Sequence, residues 1–334
     1  MPFIQGGVIP ALLTPFTKGG KSVDFEKAAG LAGFLADKGV NGLFVAGTTG
    51  EGMLMTLDER KRLLETVIKA VGTRVDVIAH TGCMDTASTI ELTCHAAQAG
   101  AKAAGVVAPW FFGYDNLALE MHYRAVAGAV KGFPIMFYNL PACARNALSA
   151  AFMVDLAGKV ENIQGVKDSS GDFVHMGEIL SHAPKGFVVI NGVDNYSYQA
   201  LVTGAHGCVA SAANVVPELF LAIIKSVKKG DLAGAWKHQQ KLSAAAKLLR
   251  YGAMVAYYKE GVRLRGFDAG YVDAATRVVG EREARLRPGH AGRRAHLRRI
   301  ADRDAVVDRK RGQAGCAGFG AAACPPFFGE TTDA

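Results

Sequence analysis

Lys167 closes the apolar run Ile163-Gln164-Gly165-Val166, and the chain then breaks at once into Asp168-Ser169-Ser170-Gly171-Asp172. The run reads as a buried strand and the Ser/Gly/Asp cluster as the loop behind it. Taking an amine out of water disfavours its charged form, and a neutral amine attacks carbonyl carbon. The plainer reading is a strand-end lysine whose ammonium snorkels to solvent, the usual fate of such a residue. Two further stretches favour chemistry. Tyr138 ends the apolar run Pro134-Ile135-Met136-Phe137, and the loop Gly47-Thr48-Thr49-Gly50-Glu51 follows Leu43-Phe44-Val45-Ala46. An imine-forming enzyme needs an amine nucleophile, a hydroxyl that moves protons, and donors for a carboxylate. The glycines of the loop let backbone N–H groups approach an anion. Alone, each piece has a bland alternative: the loop is an ordinary turn, and the tyrosine a core aromatic with a satisfied hydroxyl. The loop is not a P-loop, because no Lys-Ser/Thr pair follows its second glycine.

These three sites need strands to present them, and the rest of the chain supplies strands in regular alternation with helices. Gly7–Phe16 reads as the first strand. Asp24 caps a helix to about Lys38, and Thr56-Leu57-Asp58-Glu59 is a capping box for a helix to about Val71. Strands follow at Val75–His80, Ala104–Ala108, Pro134–Tyr138, Ile163–Lys167, Phe187–Ile190 and Cys208–Ala210, with a helix after each. These helices start near Thr86, Asn116, Ser149, Phe173, Asp194 and Pro217. Asp231 caps one more, to about Arg250. Eight such units predict an α/β fold of the (β/α)8 TIM barrel kind over residues 1–215, with a C-terminal helical region over 216–272. A doubly wound sheet is the competing architecture. Thr48, Thr49, Tyr138 and Lys167 then all fall at C-terminal strand ends, the face where barrels carry their sites.

Composition excludes several classes. The chain has 334 residues, 50% hydrophobic and 20% charged, enough for one large domain. No apolar stretch approaches a membrane span, and the N-terminus shows no secretory pattern. Six cysteines without C-x-x-C or short Cys/His spacing favour reduced thiols in a cytoplasmic protein over a disulfide frame or a zinc site. Half of the net charge of +8 falls in Asp273–Ala334, which carries 12 basic and 8 acidic residues. This atypical Arg-rich tail, residues 273–334, has no apolar periodicity and no stacking aromatics among its arginines. It therefore reads as a poorly ordered or frame-altered segment, dispensable for the barrel, rather than a nucleic-acid arm.

Together, Gly47-Thr48-Thr49-Gly50-Glu51, Tyr138-Asn139-Leu140-Pro141 and Gly165-Val166-Lys167-Asp168 give the chain a family look. From about Gly6 to Val272 it resembles the dihydrodipicolinate synthase / N-acetylneuraminate lyase superfamily of pyruvate-dependent class I aldolases. The resemblance implies Lys167 as Schiff-base lysine, Tyr138 as proton shuttle, and Thr48 and Thr49 gripping the keto-acid carboxylate. It also implies a backbone group of Val209 against pyruvate, a homotetramer built as a dimer of dimers, and no metal or organic cofactor.

Two departures bear on substrate. Synthases of the lysine pathway place an arginine five residues after the tyrosine for the second substrate's carboxylate, where this chain has Cys143, with Arg145 two positions on. They also lend a tyrosine from the neighbouring subunit, within Pro-Tyr-Tyr, where this chain reads Pro109-Trp110-Phe111-Phe112, with Tyr114 nearby. Gly192, Asp194, Asn195 and Ser211 resemble positions that bind sugar hydroxyls in neuraminate lyase-like members, although Asp194 also reads as a helix N-cap. The expectation is a lyase acting on a 2-keto-3-deoxy sugar acid, with pyruvate and an aldehyde as partners and neither nucleic acid nor membrane. The alternatives are 4-hydroxy-tetrahydrodipicolinate synthase, a dehydratase on the same imine, or an impaired keto-acid-binding relative.

Overall fold

The computed structural model describes Ile4, residues 6–250 and residues 255–274; the Arg-rich segment lies outside the described residues from position 275 onward. Eight parallel strands form one sheet: β1 (Gly7–Pro10), β2 (Gly42–Val45), β3 (Asp76–His80), β4 (Ala103–Val107), β5 (Ile135–Asn139), β6 (Ile163–Asp168), β7 (Val188–Asn191) and β8 (Gly207–Ala210). Their order is β1-β8-β7-β6-β5-β4-β3-β2. The ends of that row meet: Asn41 N–H donates to Val8 O (2.8 Å), Leu12 N–H to Phe44 O (2.9 Å), and Ala11 bridges Phe44 in parallel. The sheet is therefore a near-closed (β/α)8 TIM barrel, as expected, and the doubly wound alternative is excluded.

The helices are α1 (Phe25–Asp37), α2 (Leu57–Val71), α3 (Thr86–Gln98), α4 (Asn116–Ala129), α5 (Pro141–Ala144), α6 (Ala150–Lys159), α7 (Phe173–His182), α8 (Ser197–Thr203), α9 (Pro217–Lys228), α10 (Leu232–Leu249) and α11 (Ala256–Leu264). Asp24 and Asp231 cap α1 and α10, and Thr56 and Glu59 close the capping box of α2. α9 packs on β1, and α10 packs along α9. No helix among the described residues is long and apolar enough to cross a membrane.

Three local features differ from the sequence reading. β1 ends at Pro10, because the chain peels away from β8 after Ala11 to close against β2. The short α5 starts on Pro141, whose missing N–H costs nothing in a first helical turn. α11 is an added helix, and it carries a buried lysine, Lys259.

Side chains alternate across each strand. Ile9, Phe44, Ile78, Met136, Tyr138, Val188, Ile190 and Val209 form the barrel interior. Leu43, Val45, Val106, Phe137 and Val166 face outward onto the helices. Phe44 has room inside because glycines surround it: a Cβ on Gly105 would sit 2.7 Å from its ring, and one on Gly47 2.8 Å.

Lys259 pairs with Glu51 at 2.7 Å, with both side chains 3% exposed or less. Its ammonium also donates to Thr14 O and Tyr271 O (2.6 Å each), and Glu51 Oε2 accepts from Asp273 N–H (2.9 Å). Ala274 N–H adds a bond to Gly20 O. The barrel-bound chain thus runs two residues past the expected boundary at 272. Removing one partner of a buried pair leaves the other charge uncompensated. Lys259→Met is expected to lower unfolding stability by about 3–5 kcal/mol in urea titrations, and adding Glu51→Gln to recover much of that loss.

Candidate active site

Tyr138 and Lys167 stand opposite each other in the β5–β6 ladder, both pointing into the barrel near its C-terminal mouth. Lys167 is 4% exposed and Tyr138 3%. The lysine amine lies 3.8 Å from the centre of the Tyr138 ring and 4.2 Å from that of Phe44. The Phe44 ring meets Tyr138 edge-on at 5.6 Å. The amine thus rests in a pocket of aromatic faces, which attract it when it is charged without locking it in an ion pair.

The neighbouring carboxylate is held away. Asp168 lies one residue further along β6 and so points to the opposite face. There it accepts from Asn139 Nδ2 (2.9 Å), Ser170 N–H (3.1 Å) and Ser170 Oγ (3.0 Å). His175, from the first turn of α7, approaches the same carboxylate at 3.4 Å and reaches Leu148 O at 2.9 Å. The bond to Asp168 raises the pKa of His175, since a charged ring can donate from both nitrogens. Asn139 Oδ1 in turn accepts from Leu148 N–H. The network fastens the loops after β5 and β6 behind the lysine.

The loop after β2 supplies hydroxyls. Thr48 Oγ1 lies 3.2 Å from Tyr138 Oη, and Thr49 Oγ1 lies 2.6 Å from Ser211 Oγ. This loop is held in shape from below: Glu51 takes a left-handed conformation (φ 56°) while its side chain is tied to Lys259. Thr14 Oγ1 also donates to Gly50 O at 2.6 Å. Val209 lines the interior next to β1, opposite Ile9.

Asp194 is neither a helix cap nor an open hydrogen-bonding group. It lies in a 3-10 turn (Asp194–Tyr196) ahead of α8, and its buried carboxylate accepts from Ser211 N–H (3.1 Å) and Ala212 N–H (3.3 Å). Arg250 adds an ion pair at 3.5 Å. Burial pushes the Asp194 carboxyl up, against the opposing pull of Arg250 and those N–H groups. Asp194 therefore holds the loop that carries Ser211. Gly192 packs against the loop after β6, where a Cβ would lie 1.9 Å from Ser169 Oγ. Asn195 is half-buried, and its Oδ1 has no partner.

A cavity of about 110 Å³ opens beside Tyr138, lined by Thr48, Met53, His80, Trp110, Leu140 and Cys143 among others. Among the described residues its wall holds no arginine or lysine. Arg145, in a left-handed conformation at the end of α5, is exposed and does not line it. Tyr114 lines a separate groove between α3 and α4. Phe111 is 68% exposed with φ 81°, and its ring packs edge-on against Phe112. Sequence reasoning missed His80, Phe44 and Trp110. The first two sit on inward-facing strand positions, so strand parity could have found them.

The sequence profile described as the dihydrodipicolinate synthetase family matches residues 5–278. The chain is 36% identical over 267 residues to the 4-hydroxy-tetrahydrodipicolinate synthase of Moorella thermoacetica, covering 80% of this chain and 90% of that one. With the enzyme of the same name from Bacillus subtilis it shares 34% over 267 residues, covering 80% and 91%. Among solved structures, it superposes on the pyruvate complex of YagE, a prophage protein of the dihydrodipicolinic acid synthase family from E. coli K12. The TM-score there is 0.79 at 29% identity, with 89% and 98% of the chains covered. A catalytic lysine mutant of the Ruminococcus gnavus sialic acid aldolase gives a TM-score of 0.82 at 25% identity, covering 92% and 97%.

Tyr138→Phe keeps the ring against Lys167 and removes only the hydroxyl that meets Thr48. General acid–base groups contribute roughly 10²–10⁴-fold. Turnover is expected to fall by that factor with the circular dichroism spectrum unchanged. Turnover near that of the parent protein would leave Tyr138 as an interior aromatic and nothing more.

Proposed function

The chain belongs to the dihydrodipicolinate synthetase family, a class I pyruvate-dependent lyase by that membership, and we propose that it cleaves a 2-keto-3-deoxy sugar acid to pyruvate and an aldehyde. The observation that carries this reading is Tyr138, with Lys167 against its ring and Thr48 at its hydroxyl, beside a cavity in whose wall no arginine or lysine stands among the described residues.

In the proposed reaction the amine of Lys167 attacks the keto carbon, the Tyr138 phenol gives its proton to the departing hydroxide, and loss of water leaves the iminium. The phenolate left on Tyr138 by that step takes the proton of the C4 hydroxyl. The C3–C4 bond breaks, its electron pair passes to the iminium nitrogen, and the aldehyde leaves. Protonation of the enamine at C3 and hydrolysis release pyruvate and restore the lysine. Thr48 orients the Tyr138 hydroxyl. N–H and hydroxyl groups of the loop at Thr48 and Thr49, with backbone of Val209, receive the keto-acid carboxylate. The proposal assigns Ser211, Gly192 and Asn195 to the hydroxylated chain of the substrate, with Asp194 holding the loop of Ser211 in place. No metal or organic cofactor enters these steps.

The choice of branch rests on charge. A carboxylate-bearing aldehyde needs a cation at the far end of the site, ideally the planar fork of an arginine. Cys143 stands on the cavity wall instead. A buried carboxylate without a partner would cost several kcal/mol, whereas sugar hydroxyls need only neutral partners. A cytoplasmic homotetramer accompanies this reading. The exposed Phe111, Phe112, Leu117 and Met121 near α4 favour burial against another copy.

Pyruvate release from a panel of 2-keto-3-deoxy acids, measured beside condensation of pyruvate with aspartate semialdehyde, tests the proposal. The expected result is a higher kcat/KM for a neutral-tailed acid. Cys143→Arg should move the ratio toward the semialdehyde by about tenfold or more. Efficient condensation by the unaltered protein would instead make it a 4-hydroxy-tetrahydrodipicolinate synthase.

A further inference from the structure

His80 ends β3 on an inward-facing position, is 3% exposed, and packs its ring edge-on against Tyr138 at 5.5 Å. It lines the same cavity as Tyr138 and Thr48. Its two nitrogens differ in surroundings. Nδ1 lies 3.1 Å from Ala46 O and 3.3 Å from Arg60 Nη2, whereas Nε2 is buried with no partner.

Arg60 Nη2 donates to His80 O (2.7 Å) and reaches both Gly82 O and His80 Nδ1 at 3.3 Å, while Arg60 Nη1 also serves Gly82 O (3.3 Å). Nδ1 thus either accepts from Arg60 or donates to Ala46 O, and in the neutral ring Nε2 takes the complementary role. Burial, followed by the positive charges of Arg60 and Lys167, holds the imidazole well below its usual range, so the ring stays neutral. A buried polar atom left unsatisfied is uncommon and asks for a partner.

We propose that His80 is a specificity-determining residue, whose Nε2 forms a hydrogen bond with a hydroxyl on the substrate's carbon chain next to Tyr138. This rests on the sugar-acid reading, since pyruvate has no such hydroxyl to offer. It assigns part of the discrimination between a hydroxylated 2-keto acid and pyruvate itself to one neutral ring nitrogen. Arg60 and Ala46 act through it, by fixing which nitrogen carries the proton.

Two substitutions separate this role from packing. In His80→Asn the short amide stands in for Nδ1 beside Ala46 O and Arg60, and Nε2 is lost. In His80→Gln the longer side chain carries its amide group toward the place of Nε2, and Nδ1 is lost. The measurements are KM for cleavage of a 2-keto-3-deoxy sugar acid and the half-saturating pyruvate concentration in borohydride trapping. His80→Asn is expected to raise the ratio of the first to the second by roughly three- to tenfold, the range for one neutral hydrogen bond. His80→Gln is expected to keep the ratio closer to that of the parent. A ratio unchanged in His80→Asn, or the reverse order of the two variants, would overturn the assignment and leave His80 as a brace for Ala46. If the parent protein traps pyruvate but cleaves no sugar acid, the substrate reading itself fails, and this assignment falls with it.

Discussion

The structure turns on one constraint: an amine must sit out of water without a carboxylate to neutralise it. Lys167 meets that constraint by resting against the faces of Tyr138 and Phe44. An ion pair would hold the amine charged and engaged, and a charged amine is no nucleophile. An aromatic enclosure holds the amine without an ion-pair partner. Much of the surrounding architecture follows. Phe44 can fill the barrel at this level only because Gly105 and Gly47 leave it room. Asp168, the nearest carboxylate in sequence, is turned to the outer face of β6 by strand parity and kept there by Asn139, Ser170 and His175.

Around that centre the loops are fixed from behind. The Glu51–Lys259 pair fastens the threonine loop to α11 and to the chain at Asp273. Asp194 fastens the loop after β8, so that Ser211 meets Thr49. Tyr138, Thr48, Lys167 and His80 sit at strand ends or in loops anchored this way, which limits the conformational entropy lost when a ligand binds. A site assembled from four different strands keeps its geometry because each strand end is tied to its neighbours.

Much of this was legible in the sequence, for identifiable reasons. Apolar runs ending in polar loops marked every strand, and the caps at Asp24, Thr56 and Asp231 marked their helices, because these signals are local. The placement of Lys167 and Tyr138 at strand ends followed from the same runs. What the sequence concealed depends on contacts between distant residues. Lys259 lies 208 positions from Glu51, and no local pattern announces that pair. Asp194 read equally well as a helix cap, because a cap and an acceptor for a neighbouring loop call for the same residue type. His80 looked like the end of an apolar strand. Strand parity would have turned it inward, but its contact with Tyr138 appears only when β3 and β5 bring the two rings together.

The most direct test of the account is to incubate the full chain with pyruvate, reduce it with sodium borohydride, digest it and map the adduct by mass spectrometry. The account predicts one reduced pyruvyl group per chain, on the peptide containing Lys167, and none in Lys167→Ala. An adduct on any other lysine of the parent protein, or no adduct at saturating pyruvate, would contradict it.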